Sequence, residues 1–372
     1  MVCPDLSQNC LGRAHVLAKL ASTEFDVEVV GPMYQDEIWS PLQGEYEYKT
    51  VETSYRAYRF WLDAGKILDQ IEGDVVYASK PRIGSFGISL LKRLQDTPVI
   101  LDIDDWETGF KVHNGGELFR LKEIPHLINV NSYYYTRAFE ELSRFADEVT
   151  VSNSFLQSKF GGNRIPHLRD PSRYNPSEYD SQKLREKFKL PKDDILVLYF
   201  GTPHPYKGVE DLIQAVELLG RDDVQALVVG MGSDEYSQYL KNEYGETTVF
   251  RGKQPFATIP EWIATADIVA IPQRDTPATR GQLPAKLFDA MAMDKPIIAT
   301  NVSDIPEIVG EYGSIATPSS PNEISDHILD YLKNYGFQKK TVQGGRERLK
   351  NNYSFESRMG QIKKIVKNSS YG

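Results

Sequence analysis

The chain has 372 residues, 40% of them hydrophobic and 26% charged, which is enough for two or three hydrophobic cores and too apolar for a disordered chain. Its 43 Lys and Arg against 52 Asp and Glu leave a net charge of −9, which excludes sequence-independent binding to nucleic acid. Cys3 and Cys10 make neither a disulfide framework nor a metal-ligand set, no apolar run nears the roughly 18 residues of a membrane span, and no secretory leader pattern opens the chain. A cytoplasmic enzyme is the expectation.

Only Met1-Val2-Cys3 precede the turn residues Pro4, Asp5 and Ser7, so the first strand reads as clipped. A helix pattern follows from Arg13 to Ala21, then a β-rich run from Val27 to Val30 closed by Gly31-Pro32. Asp74 to Ala78 and Pro98 to Ile103 read as buried strands around a helical stretch from Ser85 to Leu94. Tyr133-Tyr134-Tyr135 read as the packing face of a helix, and His15, His113 and His126 as surface or packing histidines. The polar segment from Asn175 to Asp194 reads as a domain junction. After it the rhythm returns: Ile195–Phe200, Ala226–Val229, Thr248–Phe250, Ile268–Ile271 and Pro296–Ala299 are strand runs separated by helical segments. Apolar runs alternating with helices are the pattern of parallel sheets wrapped by helices, here two Rossmann-like domains. Ser354 to Val366 reads as a closing helix that crosses back.

The stretch from Arg280 to Glu307 carries the most chemistry. Pro284 suits a first helical turn, and amides before a helix face anions well. Arg280 and Lys286 add positive charge, and Asp289 shares a helix face with Lys286. A diphosphate and a ribose fit that set; a capped helix with a surface Lys–Asp pair fits it too. Pro296 must end the helix, with Asp294 in the left-handed position at its C-terminus.

These residues resemble the donor-binding half of the retaining glycosyltransferases of family 4, the glycosyl transferases group 1, which have the GT-B fold. The resemblance lies in Pro284, Lys286, Asp289, Met291-Ala292 and Lys295-Pro296-Ile297-Ile298-Ala299, then Pro306-Glu307. It extends to Phe200-Gly201 followed by Lys207-Gly208, to Val228-Val229-Gly230-Met231-Gly232, and to Ala266-Asp267, all in the family's order. The resemblance implies an α/β GT-B architecture: two Rossmann-like domains facing across a cleft, with a C-terminal helix crossing back. Residues 1–175 with 356–372 would form the acceptor-side domain and 176–355 the nucleotide-sugar domain.

By the same resemblance, Lys207 offsets charge on the departing nucleoside diphosphate, and Asp289 is the acid that reads the donor ribose. Gly201, Gly281, Gln282, Leu283 and Lys286 join the donor site, as do Gly12 and Arg13 from the family's N-terminal glycine loop. Three departures stand out. Gly281 replaces the family's first acid, and Thr202 replaces an arginine whose charge Arg280 is expected to supply. Asp104, within Asp102-Ile103-Asp104-Asp105-Trp106, replaces the N-domain histidine at a strand end, where it would orient the acceptor hydroxyl; Asp104 and Asp105 also read as turn or cap residues. His167-Leu168-Arg169-Asp170 resembles a structural hinge.

The catalytic set expected is therefore Asp104, Lys207 and Arg280, with no metal and no cofactor. The substrate is a UDP- or GDP-linked sugar, and the acceptor a glycan, a lipid-linked sugar or a small metabolite, with peripheral contact at the inner membrane face. A sugar-nucleotide-binding homologue without activity and a sugar-nucleotide epimerase on the same fold are the competing readings.

Overall fold

The structure is a computed structural model that describes residues 1–113, 119–333 and 335–370; the side chain of His113 lies outside the described ones. The chain divides into two compact units. The first takes in Met1–His167, Gly281–Leu283 and Phe355–Gly372, and the second Leu168–Arg280 and Pro284–Ser354. The break after His167 lies eight residues before the 175/176 boundary read from sequence, and Gly281–Leu283 packs with the first unit although the chain on either side belongs to the second.

In the first unit the strands are β1 (Val29–Met33), β2 (Tyr48–Glu52), β3 (Val76–Ser79), β4 (Val99–Ile103), β5 (Glu148–Val151) and β6 (Asn163–Arg164). Strands β3-β4-β5-β6 pair in that order, all parallel, and β1 pairs parallel with β2. The opening residues join the two sets. Val2 bridges Val30 on one side and Ala78 on the other, donating to the Tyr77 carbonyl at 2.8 Å while Ser79 donates back to Val2 at 2.9 Å. Three residues therefore fill the central strand position that a full strand was expected to fill. The runs pack on both faces because β3 and β4 are buried throughout. The last helix, Met359–Ser369, packs in this unit against the helix Leu11–Ala21.

The second unit holds β7 (Ile195–Phe200), β8 (Val224–Met231), β9 (Thr248–Gly252), β10 (Ile268–Ile271), β11 (Ile297–Thr300) and β12 (Ser314–Ala316), all parallel in the order β12-β11-β10-β7-β8-β9. This is the doubly wound order of a nucleotide-binding sheet. It reverses between β7 and β10, and sheets of this order bind ligands beyond the C-terminal ends of the strands at that point. The core of the unit is Val197, Tyr199, Leu212, Ala226, Val228, Ile268 and their neighbours. Asp294 takes the left-handed conformation expected of it, with φ at 56°. Among the described residues no helix is long and apolar enough to cross a membrane.

Candidate functional site

At the switch point of the second unit, β7 ends at Phe200, Gly201 follows it, and the chain reaches a short turn, Pro205–Lys207, before the helix Val209–Leu218. Gly208 closes that turn with φ at 65°, and a Cβ there would stand 1.8 Å from the carbonyl oxygen of Pro272, just beyond β10. No other residue lets the two strand ends approach so closely. Arg274 donates its backbone N–H to the Tyr206 carbonyl at 2.9 Å, which ties the β10 loop to the turn a second time. Its guanidinium is committed to Asp211 at 2.5 and 2.8 Å and to Glu210 at 3.3 Å. Half-buried Lys207 is thus held at the end of a turn fixed just beyond β7 and β10.

Pro284 leads into the helix Ala285–Ala292, which carries Lys286 in its first turn. The Lys286 ammonium lies 3.7 Å from the centroid of the Tyr199 ring, and a side chain added at Gly201 would meet it at 3.2 Å. It is buried and has no hydrogen-bond partner. Burial, and next the charge of Lys207, push its pKa well below the ordinary lysine value, with Asp289 pulling the other way. His204 shares this field: burial first, then Lys207 and Lys286, lower its pKa. A buried, unpartnered ammonium beside a second lysine and a glycine turn is arranged to receive an anion.

Asp289 is buried on the same helix, but its carboxylate is already engaged. Arg169 grips Oδ1 through Nε and reaches Oδ2 at 3.3 Å, and donates also to the carbonyls of Leu168 and Ala285. The segment read as a hinge thus supplies the partner of the acid read as a ribose ligand.

Two basic residues go elsewhere. Arg280 is exposed and its guanidinium is bound to Asp275 at 2.7 and 2.9 Å, while the cation that the fold brings into the field of Lys207 is Lys286. Arg13 is buried, with Nε and Nη2 on Asp102 at 2.9 and 2.8 Å and further bonds to the carbonyls of Ile165 and Pro166. Its donors are spent inside the first unit, so it brings no charge to a donor site; Gly12 lies in the first turn of the helix Leu11–Ala21, against Trp39.

Gly281, Gln282 and Leu283 also pack into the first unit. Trp106 donates to the Gly281 carbonyl at 3.0 Å, Gln282 bridges Asp105 and donates to its Oδ1 at 3.2 Å, and Leu283 is buried. A Cβ at position 281 would stand 2.4 Å from the Trp106 Cβ. The missing first acid is therefore a steric consequence of where the loop lies.

In the first unit a second group of charges sits at the ends of β3 and β4. Lys80 follows β3, is buried, and holds a left-handed backbone with φ at 67°. Its ammonium lies 2.7 Å from Asp104, 2.9 Å from Asp105 and 3.0 Å from Glu107. Arg82 pairs with Glu107 on its other oxygen. Burial works against the Lys80 charge, yet the three carboxylates outweigh it and raise its pKa. Burial would push the Glu107 carboxyl up, but Arg82 and Lys80 hold it at about 2. Burial raises the pKa of Asp105 against the pull of Lys80. Asp104 and Asp105 are thus neither plain caps nor free groups.

Sequence reasoning did not pick out Lys80, Arg82, Glu107 or His204. A cation directly after a buried strand run was the available signal for Lys80, and it was read only for the acids after β4. No group of three or more His, Cys, Asp and Glu among the described residues is placed to hold a metal ion.

Residues 194–334 match the family described as Glycosyl transferases group 1. An uncharacterized glycosyltransferase of Methanocaldococcus jannaschii is 27% identical over 252 residues, 64% of this chain and 62% of that protein. The N-acetyl-alpha-D-glucosaminyl L-malate synthase of Bacillus anthracis is 23% identical over 192 residues, 50% of this chain and 49% of that protein. The matched regions thus take in between about half and 62% of these relatives' own lengths. Among solved structures, Anabaena HepE in complex with UDP superposes with a TM-score of 0.74 at 19% identity, covering 98% of each chain. These likenesses give the fold, which is of the GT-B type.

Proposed function

We propose that this chain, which carries a Glycosyl transferases group 1 domain over residues 194–334, is a glycosyltransferase that takes a sugar from a nucleoside diphosphate sugar. The observation that carries the reading is the buried, unpartnered ammonium of Lys286 beside Lys207 at the strand-order reversal of the second unit. A diphosphate completes that site: it supplies the hydrogen-bond acceptors that Lys286 lacks, and two fixed cations offset the charge that gathers on the leaving group. Lys207 and Lys286 take the part that a metal plays elsewhere, and the anomeric configuration is retained. HepE, one of the structural neighbours, holds UDP, which favours a uridine or similar nucleotide here.

The acceptor belongs to the first unit. Asp104 and Asp105, held by Lys80 at the ends of β3 and β4, present carboxylate oxygens to a sugar hydroxyl, and the departing phosphate serves as base. The acceptor is a glycan, a lipid-linked sugar or a small metabolite. Peripheral contact with a membrane is part of the reading. It is favoured by Tyr58, Trp61 and Leu62, which the helix Ala57–Asp69 exposes at 58%, 47% and 77%, with Arg56 and Arg59 alongside.

The test is calorimetric titration with UDP, GDP and ADP and their sugars, followed by product analysis with candidate acceptors. Binding of at least one nucleotide sugar and transfer with retained configuration are expected, with activity unchanged by a chelator. Asp104→Asn should keep donor affinity and slow transfer by about 10²-fold, because the acceptor hydroxyl loses the carboxylate that positions it. Binding without transfer to any acceptor would favour the non-catalytic reading, and scrambling at the sugar C2 the epimerase.

A further inference from the structure

Two residues beyond the end of β10, Gln273 is 3% exposed, and neither its Oε1 nor its Nε2 has a hydrogen-bond partner. A carboxamide left buried with both ends unpaired destabilises the fold that contains it unless something outside the chain satisfies it. The backbone here is fixed. The Gln273 carbonyl accepts from Thr300 Oγ1 at 2.5 Å, the Pro272 carbonyl packs against Gly208, and the Arg274 N–H is held by Tyr206. Gln273 is therefore anchored to the turn that carries Lys207. Just past the end of the neighbouring strand β11, Ser303 repeats the feature: its Oγ is buried without a partner, on a left-handed backbone with φ at 54°.

The two unpaired groups differ from Lys286 in kind. They carry no charge, and the Gln273 carboxamide offers an NH2 donor at one end and an oxygen acceptor at the other. A carboxamide oxygen and a phosphate oxygen are both acceptors and repel, whereas a hydroxyl can give to one end of the carboxamide and take from the other. A polar site built to bind hydroxyls also rejects analogues that lack them, since its buried groups are then left unpaired.

We propose that Gln273, with Ser303 just past the end of the adjacent strand, hydrogen-bonds hydroxyl groups of the donor's sugar and so selects which sugar is transferred. The assignment rests on the nucleotide-sugar reading above and adds to it the residues that read the glycosyl unit.

The test compares two ligands on three proteins: UDP and UDP-glucose, or the nucleotide pair that wild type binds best, titrated into wild type, Gln273→Leu and Ser303→Ala. Gln273→Leu should bind the nucleoside diphosphate within about twofold of wild type and the nucleotide sugar about tenfold more weakly, the equivalent of one hydrogen bond. Ser303→Ala should show the same pattern with a smaller loss, and it reads the site independently should the leucine variant fail to fold. The ligand-free Tm of Gln273→Leu should rise, because the unpaired carboxamide is gone. Unchanged nucleotide-sugar affinity in both variants would make these groups structural and overturn the proposal. Equal weakening of both ligands would place them on the nucleotide and overturn it as well. Absence of nucleotide binding by wild type would instead overturn the donor reading on which the proposal stands.

Discussion

At the ends of β3 and β4, Lys80 and Arg82 are closed onto Asp104, Asp105 and Glu107, whereas at the ends of β7, β10 and β11 Lys286, Gln273 and Ser303 have no hydrogen-bond partner. The two groups occupy equivalent places, the C-terminal ends of parallel strands. They differ in whether their cations are paired within the chain: Lys80 and Arg82 are, and Lys286 is not. A closed cluster is stable without ligand and offers little net charge, which suits a neutral hydroxyl. An open one carries a standing penalty that a ligand of opposite character removes. The contrast supports the proposed division, with the phosphates and glycosyl unit of the donor at the second unit and the acceptor hydroxyl at the first.

The largest effect should come from opening the closed cluster. The Glu107 carboxyl is held at about 2, against an ordinary value of 4.5. That difference corresponds to about 3 kcal/mol, at roughly 1.4 kcal/mol per unit. Because the pKa is depressed in the folded state, this stability is present in full above the unfolded value and is lost as pH falls toward 2. Glu107→Gln should therefore be less stable than wild type by about 3 kcal/mol at neutral pH, in keeping with breaking a buried ion pair. The gap should shrink as the acid is titrated below pH 4. Denaturant melts at pH 7 and pH 3 would measure it, and an equal gap at both values would show that the cluster is held by packing and not by charge.

Closing the open group should act in the opposite direction. Lys286→Met removes a buried ammonium without a hydrogen-bond partner, so the ligand-free protein should become more stable. Nucleoside diphosphate binding should weaken by roughly ten- to a hundredfold, the worth of a charged hydrogen bond. The pH dependence follows from the depressed pKa. Where the unfolded lysine is protonated and the folded one is not, the unfolded state binds more protons, so wild-type stability rises with pH up to the ordinary lysine value. The methionine variant should lack that rise. A bound diphosphate favours the charged form, so nucleotide binding at alkaline pH should take up protons, visible as a dependence of the calorimetric heat on the buffer's ionisation enthalpy. A destabilised Lys286→Met with unchanged nucleotide affinity would mean that Tyr199, and not a ligand, is the partner this lysine was selected for.

Legibility in the sequence followed the same division between local and distant partners. Ile195–Phe200 and Ile268–Ile271 were readable to the residue, because a strand buried on both faces must be apolar along its length. Strand β2, with the sequence Tyr48-Lys49-Thr50-Val51-Glu52 and no fully buried residue, β6 with two residues and β12 with three, left no such trace. Lys207 was found by its resemblance to the family's lysine before a glycine, and Lys286 because Pro284 marks the start of its helix. Arg13 and Asp289 were assigned to ligands because their partners, Asp102 and Arg169, lie 89 and 120 residues away. A charge looks available in a sequence until the fold brings its counterion to it. Gln273 escaped notice for the converse reason: its significance is the lack of a partner, which only a packed interior can reveal.

The smallest effect concerns the ribose, and it tests whether Asp289 belongs with the closed groups or the open ones. The resemblance makes this acid the ribose ligand, whereas Arg169 already binds both of its oxygens. A carboxylate offers about four lone-pair positions, and Arg169 together with the Tyr174 hydroxyl, which also hydrogen-bonds Asp289, leaves room for a further donor. A hydroxyl added there would join an oxygen already neutralised by a guanidinium, so its bond should have the strength of a neutral one, about 1 kcal/mol or less. The expected result is that a 2′- or 3′-deoxynucleoside diphosphate binds at most about fivefold more weakly than the ribonucleotide. A loss of a hundredfold would mean that Asp289 leaves Arg169 and gives the ribose an unshared carboxylate, which moves it from the closed class to the open one. Asp289→Asn separates the two cases further. If the pair with Arg169 is the main role, the variant should lose far more stability than nucleotide affinity, because it strands a buried guanidinium. If the ribose is the main role, the two losses should be comparable.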